Sequence, residues 1–182
     1  MALTREYQSG GKLVLQVIAL FLSSFSLHPA AGQEKLNITG GAGFLELFHA
    51  GFRWQWSQVQ IGASVGFAPV KNESVSTLSA DVFYHFEGRS PYSERRLTYL
   101  RLGVIYFKDE SPYFLDRYTY LNLRIGRDLN ISERVGFNID GGLLFELYHQ
   151  QVEQIPDNIM FNTDVEAPVL PSASVGVFYR LK

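Results

Sequence analysis

Apolar and polar residues alternate strictly along much of this sequence, as in the segment YTYLNLRIGRDLN (118–130). Leu121 and Leu123 lie on one parity, and Asn122 and Arg124 lie on the other. Alternation with a period of two predicts strands that have one apolar and one polar face. A soluble sandwich turns the apolar face inward, whereas a membrane barrel turns it toward lipid. Other features of the sequence decide between these two arrangements.

The alternation recurs in eight segments, which predicts an all-β chain. The predicted strands are 35–43, 50–56, 59–68, 74–87, 97–108, 118–130, 134–149 and 169–181. The segment FLELFH (44–49), which follows the first strand, is predicted to form a short helical turn.

The two parities of these strands differ in chemistry. No charge interrupts the apolar residues of the apolar parity, and aromatic residues such as Trp54, Trp56, Tyr84 and Tyr179 cluster near the strand ends, as in the girdles of a membrane barrel. The polar parity combines glycines with a set of titratable residues: Arg53, Asp81, His85, Arg101, Arg124, Asp140 and Glu146. An eight-stranded barrel has an interior that side chains just fill, and buried charges are tolerated there when they pair. We therefore predict that this set forms an interior charge network that closes the barrel.

The connections between the strands also favour a membrane barrel. Longer and tighter connections largely alternate, and an even strand number places both termini on the periplasmic side. The connection GRSPYSERR (88–96) is longer than a periplasmic turn usually is. The predicted fold is an eight-stranded antiparallel up-and-down transmembrane β-barrel.

The first thirty residues predict the compartment. Arg5 and Lys12 precede the apolar run LVLQVIALFL (13–22), which has the length of a signal-peptide core and is short for a transmembrane helix. Small residues at 30 and 32 suit cleavage before Gln33. We predict a signal peptide over 1–32, a mature barrel domain over 33–182 and an outer-membrane location; the alternative is an uncleaved N-terminal anchor. The sequence contains no cysteine, which excludes disulfides and thiolate chemistry.

The hairpin GFRWQW–SQ–VQIGASVG and the closing segment SVGVFYRLK resemble small outer-membrane β-barrel proteins. The resemblance covers roughly 35–182 and is closest to eight-stranded, porin-like proteins of Bacteroidota with the architecture of outer membrane proteins A and X. It implies an outer-membrane location, a barrel without an open channel and no agreed activity.

His85 is the candidate catalytic residue, because Asp81 and Ser79 share its parity and could complete a hydrolase triad. All three would face the interior of the barrel, where lipid cannot reach them. We therefore predict no catalytic residues, no metal site and no cofactor, with His85 as a hydrogen-bonded interior residue. The net charge of −2 gives no indication of nucleic-acid binding.

The long connection before the last strand carries four apolar residues, Ile155, Ile159, Met160 and Phe161. Exposed apolar residues in a long loop mark either a site for a ligand or for a surface or periplasmic protein partner, or a cap over the barrel mouth.

The favoured function is a structural or surface-interaction role in the outer membrane, with lipid as the surrounding partner. The two alternatives are a lipid-modifying outer-membrane enzyme and a soluble secreted β-barrel that binds an apolar ligand inside.

Overall fold

The computed structural model describes residues 36–68, 74–110, 114–153 and 168–181. The strands are β1 (Leu36–Gly43), β2 (Leu47–Trp56), β3 (Val59–Ala68), β4 (Ser74–Glu87), β5 (Thr98–Glu110), β6 (Phe114–Asn130), β7 (Val135–Glu153) and β8 (Val169–Leu181). Each strand pairs antiparallel with the next, and β8 pairs with β1, so the sheet closes on itself. The prediction of an eight-stranded antiparallel up-and-down barrel is confirmed. No helix within these ranges has the length and apolar character needed to cross a membrane.

Two regions named by the sequence analysis lie outside the described residues. They are the predicted signal peptide (1–32) and the apolar set of the last connection (Ile155, Ile159, Met160 and Phe161).

The predicted helical turn at 44–49 is wrong. Gly43 of β1 pairs directly with Leu47 of β2, so three residues close a tight hairpin turn. Leu45 and Leu47 have φ angles of 62° and 57°, which lie in the left-handed region and not in the right-handed helical one. One strained leucine therefore lies in the turn and a second begins β2, and the tertiary contacts described below hold the turn in place.

The strands differ in length, so the barrel wall is uneven. β1, β2 and β3 have 8, 10 and 10 residues, whereas β6 and β7 have 17 and 19. β6 and β7 extend past their predicted limits because their ladder continues as far as Phe114 opposite Glu153. We call the end that carries the β1–β2 turn the upper end and the end that carries the β2–β3 turn the lower end. The wall is tallest at the upper end of β5, β6 and β7.

The barrel is apolar outside and polar inside. Side chains such as Ile61, Val65 and Ile125 face outward and are 56–60% exposed. The opposite parity fills the interior, where Arg124 and Asp128 are at most 1% exposed. This is the polarity that the alternation predicts for a barrel surrounded by lipid and the reverse of a soluble β-protein.

Candidate functional site in the barrel lumen

Five charged side chains meet at the middle of the lumen, and we call them the central ion cluster: Glu46, Asp81, Arg101, Arg124 and Asp140. Arg101 donates to Asp81 through Nε at 2.9 Å and through Nη2 at 2.7 Å. Its Nη2 also donates to Glu46, and its Nη1 lies 3.5 Å from Asp140. Arg124 donates through Nη1 to Glu46 at 2.6 Å and to Asp140 at 3.1 Å. Three carboxylates thus enclose two guanidinium groups.

Glu46 reaches this cluster because the β1–β2 turn folds into the upper end of the barrel. Its backbone carbonyl accepts a hydrogen bond from the Thr77 hydroxyl, and its side chain is 1% exposed. The neighbouring Leu45 packs against an apolar layer that closes over the cluster, formed by Ile105, Tyr120 and Leu144 with Phe107, Tyr118 and Leu170. The turn therefore acts as an internal plug, with Leu45 in the apolar layer and Glu46 below it.

Two opposing effects determine the ionisation of Glu46. Burial by itself raises the pKa of this carboxyl, because a charge is costly away from water. The guanidinium groups of Arg101 and Arg124 outweigh burial and lower the Glu46 pKa from its ordinary value of 4.5 to about 2. Glu46 is therefore an anion at neutral pH.

Neutral side chains hold the other two carboxylates of the cluster. Asp140 accepts hydrogen bonds from Ser174 at 2.6 Å and from Tyr99 at 2.9 Å. Asp81 accepts from Ser79 at 3.1 Å and from Asn122 at 3.2 Å. Buried charges are stable only when their hydrogen-bonding capacity is met, and these contacts supply it.

Glycines on the lumenal parity make room for the cluster and for the plug. A Cβ atom at Gly103 would lie 2.1 Å from Asp81 Oδ1, and one at Gly66 would lie 2.1 Å from the carbonyl oxygen of Glu46. Both distances are far shorter than a van der Waals contact, so neither site accommodates a side chain without a shift. This explains why glycines alternate with charges along the polar parity.

The Gly66→Ala substitution is expected to lower the free energy of unfolding by about 1–3 kcal/mol, because the added methyl group would push the plug outward. Urea unfolding of the barrel in lipid vesicles measures this change. Gly141→Ala is the matched control, since its Cβ would have no neighbour closer than 3.6 Å. Equal unfolding midpoints for the two variants would contradict the inward position of the turn.

A second polar layer fills the lower end of the lumen. The β4–β5 connection folds back into the barrel, and its Arg95 donates to Asp128 at 2.5 Å and to Gln55 at 2.8 Å. The guanidinium groups of Arg95 and Arg180 also lie 5.3 and 4.8 Å from the centre of the Phe178 ring, which is within the range of cation–π contacts. The unusual length of this connection is thus explained, since it covers the lower mouth.

Two residues of the predicted charge network have other environments. Arg53 is buried, but no carboxylate of a described residue lies within 4.0 Å of it; its guanidinium lies 4.2 Å from the centre of the Phe83 ring. Glu146 is half-buried opposite Tyr120 and forms no ion pair with any described residue. It lies six residues along β7 from Asp140, which is about 20 Å at strand spacing and too far from the cluster. The prediction that Glu146 pairs with the lumenal arginines is therefore wrong.

His85 lies in the lower layer and not beside Asp81. Its Nδ1 donates to the backbone carbonyl of Arg96 at 2.8 Å, and its Nε2 lies 3.3 Å from the side-chain oxygen of Gln60. Ser79 donates to Asp81, whose carboxylate also binds Arg101. The candidate triad is therefore not assembled: Ser79 and Asp81 belong to the hydrogen bonds around Arg101, and His85 belongs to those of the lower layer.

A small cavity remains beside the central ion cluster. It has a volume of about 10 Å³, which is close to the space of a single water molecule. Its polar lining comprises Thr39, His49, Arg53, Ser64, Asp81 and Arg101.

Sequence reasoning missed Glu46 and Arg95, the two charged residues that enter the lumen from connections. Neither lies on a strand parity, so alternation could not assign them to the interior. The available signal was an excess of cations, because the buried strand residues include four arginines and only three aspartates: Arg53, Arg101, Arg124 and Arg180 against Asp81, Asp128 and Asp140.

No protein-family model matches this sequence, and no curated protein matches it either. The crystal structure of CarO from Acinetobacter baumannii, an outer-membrane barrel, is similar to this chain with a TM-score of 0.52 and 11% sequence identity. The alignment covers 87% of this chain and 100% of the CarO chain. At this identity the likeness shows the fold alone.

Proposed function

We propose that this chain is an outer-membrane β-barrel protein with a structural or surface-interaction role. The observation that carries the proposal is the inverted polarity: a continuous apolar exterior surrounds an interior of buried charges. Such an exterior is stable in lipid and would aggregate in water. The lower end, with its covered mouth, is then the periplasmic end, and the tall wall of β5–β7 projects from the cell surface.

A closed lumen is part of the same proposal. Three layers of contacts support it: the apolar layer around Ile105, the central ion cluster and the lower layer around Arg95. The five charges of the central ion cluster contact one another, and Arg95 contacts Asp128, which favours a closed lumen over a water-filled path. We also propose that the apolar residues of the last connection, at 155–161, meet a protein partner at the cell surface.

The alternatives receive less support. A soluble barrel that binds an apolar ligand requires an apolar lumen, whereas buried arginines and carboxylates occupy this one. A lipid-modifying enzyme requires a reactive side chain at a lipid-facing rim. The candidate triad residues Ser79, Asp81 and His85 all face inward. We propose that the protein has no catalytic role. The narrower relationship to Bacteroidota barrels of the outer membrane protein A and X type is supported by the strand count and the GFRWQW hairpin.

The test is the electrophoretic mobility of the protein from a membrane fraction, with and without boiling in SDS. We expect the unboiled barrel to migrate apart from the boiled chain, because a closed membrane barrel resists SDS in the cold. The same protein should sediment with membranes and require detergent for extraction. A protein that stays in the soluble fraction and shows one mobility would overturn the proposal.

A further inference from the structure

A row of polar side chains crosses the outer surface near the upper end. The registers place Ser76 opposite Lys108, Lys108 opposite Arg117, and Arg117 opposite Gln150, on the adjacent strands β4 to β7. These residues share the outward parity of Tyr106, which is 39% exposed. We call these four residues the polar row.

The polar row carries uncompensated positive charge. Lys108 and Arg117 are direct cross-strand partners, an arrangement that is unfavourable for like charges. Lys108 pairs with Glu110 at 2.5 Å, which leaves two cations to one anion. The Nε of Arg117 is buried and donates to no described residue. Among the described residues, the site therefore has one cation in excess.

We call the outward face of β6 below Arg117 the furrow, because Thr119 at its top is smaller than both of its cross-strand neighbours. In the next outward row, Thr119 lies between the larger Tyr106 and Tyr148 of the neighbouring strands. Below Thr119, the same face of β6 presents Leu121 and Leu123. The furrow is thus polar at its top, flanked by two tyrosines at Thr119 and apolar below it.

The position of the polar row matches the level of lipid headgroups. Lys108 and Thr98 are the polar residues that bound the outward apolar face of β5, and they are ten residues apart. At about 3.3 Å per residue and a tilt of about 40°, this separation corresponds to a height of about 25 Å, which is the apolar thickness of a membrane barrel.

We propose that the polar row and the furrow bind one lipid that carries a phosphate headgroup. The phosphate oxygens accept charge-assisted hydrogen bonds from Arg117 and Lys108, and one acyl chain lies along Thr119, Leu121 and Leu123 between the two tyrosines. This inference rests on the proposed function, because only a barrel that sits in a membrane presents the site to lipid.

The experiment uses the barrel in phosphatidylcholine vesicles that contain a minor fraction of phosphatidic acid, followed by gentle detergent extraction and native mass spectrometry. We expect the wild-type barrel to retain one phosphatidic acid. Retention should fall about tenfold to thirtyfold in the Lys108→Gln/Arg117→Gln variant. Thr119→Trp should also lose the lipid, because it fills the furrow and keeps both cations.

The matched control is Arg127→Gln, which removes an exposed cation from the lower end of β6 and should retain the lipid. Resistance to cold SDS confirms that each variant is folded. Equal retention by the wild type and the double variant would overturn the inference. Displacement of the lipid by inorganic phosphate, with Thr119→Trp unaffected, would reveal an anion site without a lipid furrow and would also overturn it. Failure of the wild-type barrel to enter vesicles would instead overturn the proposed function.

Discussion

Replacing Glu46 by alanine is expected to lower the free energy of unfolding by about 3–5 kcal/mol, because it removes one carboxylate that pairs with two buried arginines. Glu46 contacts both Arg101 and Arg124, as Asp140 does, and the side chains of Glu46 and the two arginines are at most 4% exposed. Without it, Arg124 keeps a single carboxylate contact, to Asp140 at 3.1 Å. The central ion cluster would then hold two cations against two anions, and Asp81 contacts Arg101 but not Arg124.

Urea unfolding in lipid vesicles measures this effect through the fluorescence of Trp54 and Trp56, which lie on the outer surface of the barrel. The control is Glu110→Gln, which removes a carboxylate from the exposed pair with Lys108 and should leave unfolding unchanged, because surface pairs contribute little. If Glu46→Ala unfolds at the same urea concentration as the wild type, the plug does not anchor the cluster.

Replacing Leu123 by arginine is expected to cost about 2–4 kcal/mol in lipid vesicles, which is the cost of a charge on the lipid-facing surface at the bilayer midplane. Leu123 is 39% exposed and lies midway along β6 between Arg117 and Arg127, the outward cations near its two ends. A long cationic side chain at this depth cannot reach either interface without distortion of the bilayer.

Leu129→Arg provides the matched control on the same strand. Leu129 is 52% exposed and lies beyond Arg127, so an arginine there would meet headgroups and water and should cost about 0–1 kcal/mol. The difference between the two variants depends on depth alone, and the same urea titration measures it. Equal stability of Leu123→Arg and Leu129→Arg would mean that this surface faces water, as in a soluble barrel.

The strands and their faces were predictable because both are local properties. Whether Leu123 or Arg124 faces outward follows from parity within one strand. A shift of one residue in the pairing register would turn the charged residues of that strand to the outer surface. The limits of β6 and β7 were less predictable, because the continuation of their ladder to Phe114 depends on the pairing of two strands rather than on the pattern of either one.

The charge network was predictable in composition and only partly in its contacts. Asp81, Arg101, Arg124 and Asp140 do meet, since they occupy one level of adjacent lumenal faces. Glu146 shares their parity but not their level, because position along a tilted strand determines height and parity does not. Arg53 has an aromatic ring as its neighbour in place of a carboxylate.

The sequence by itself therefore determined an eight-stranded chain with one apolar and one charged face on each strand. Only the tertiary structure decided what completes the interior. Glu46 and Arg95 enter it from connections, whose side chains follow no period and whose direction depends on the space left by the surrounding wall. The reason is physical: alternation is a property of an extended backbone, whereas the pairing of buried charges depends on distances between strands far apart in the chain.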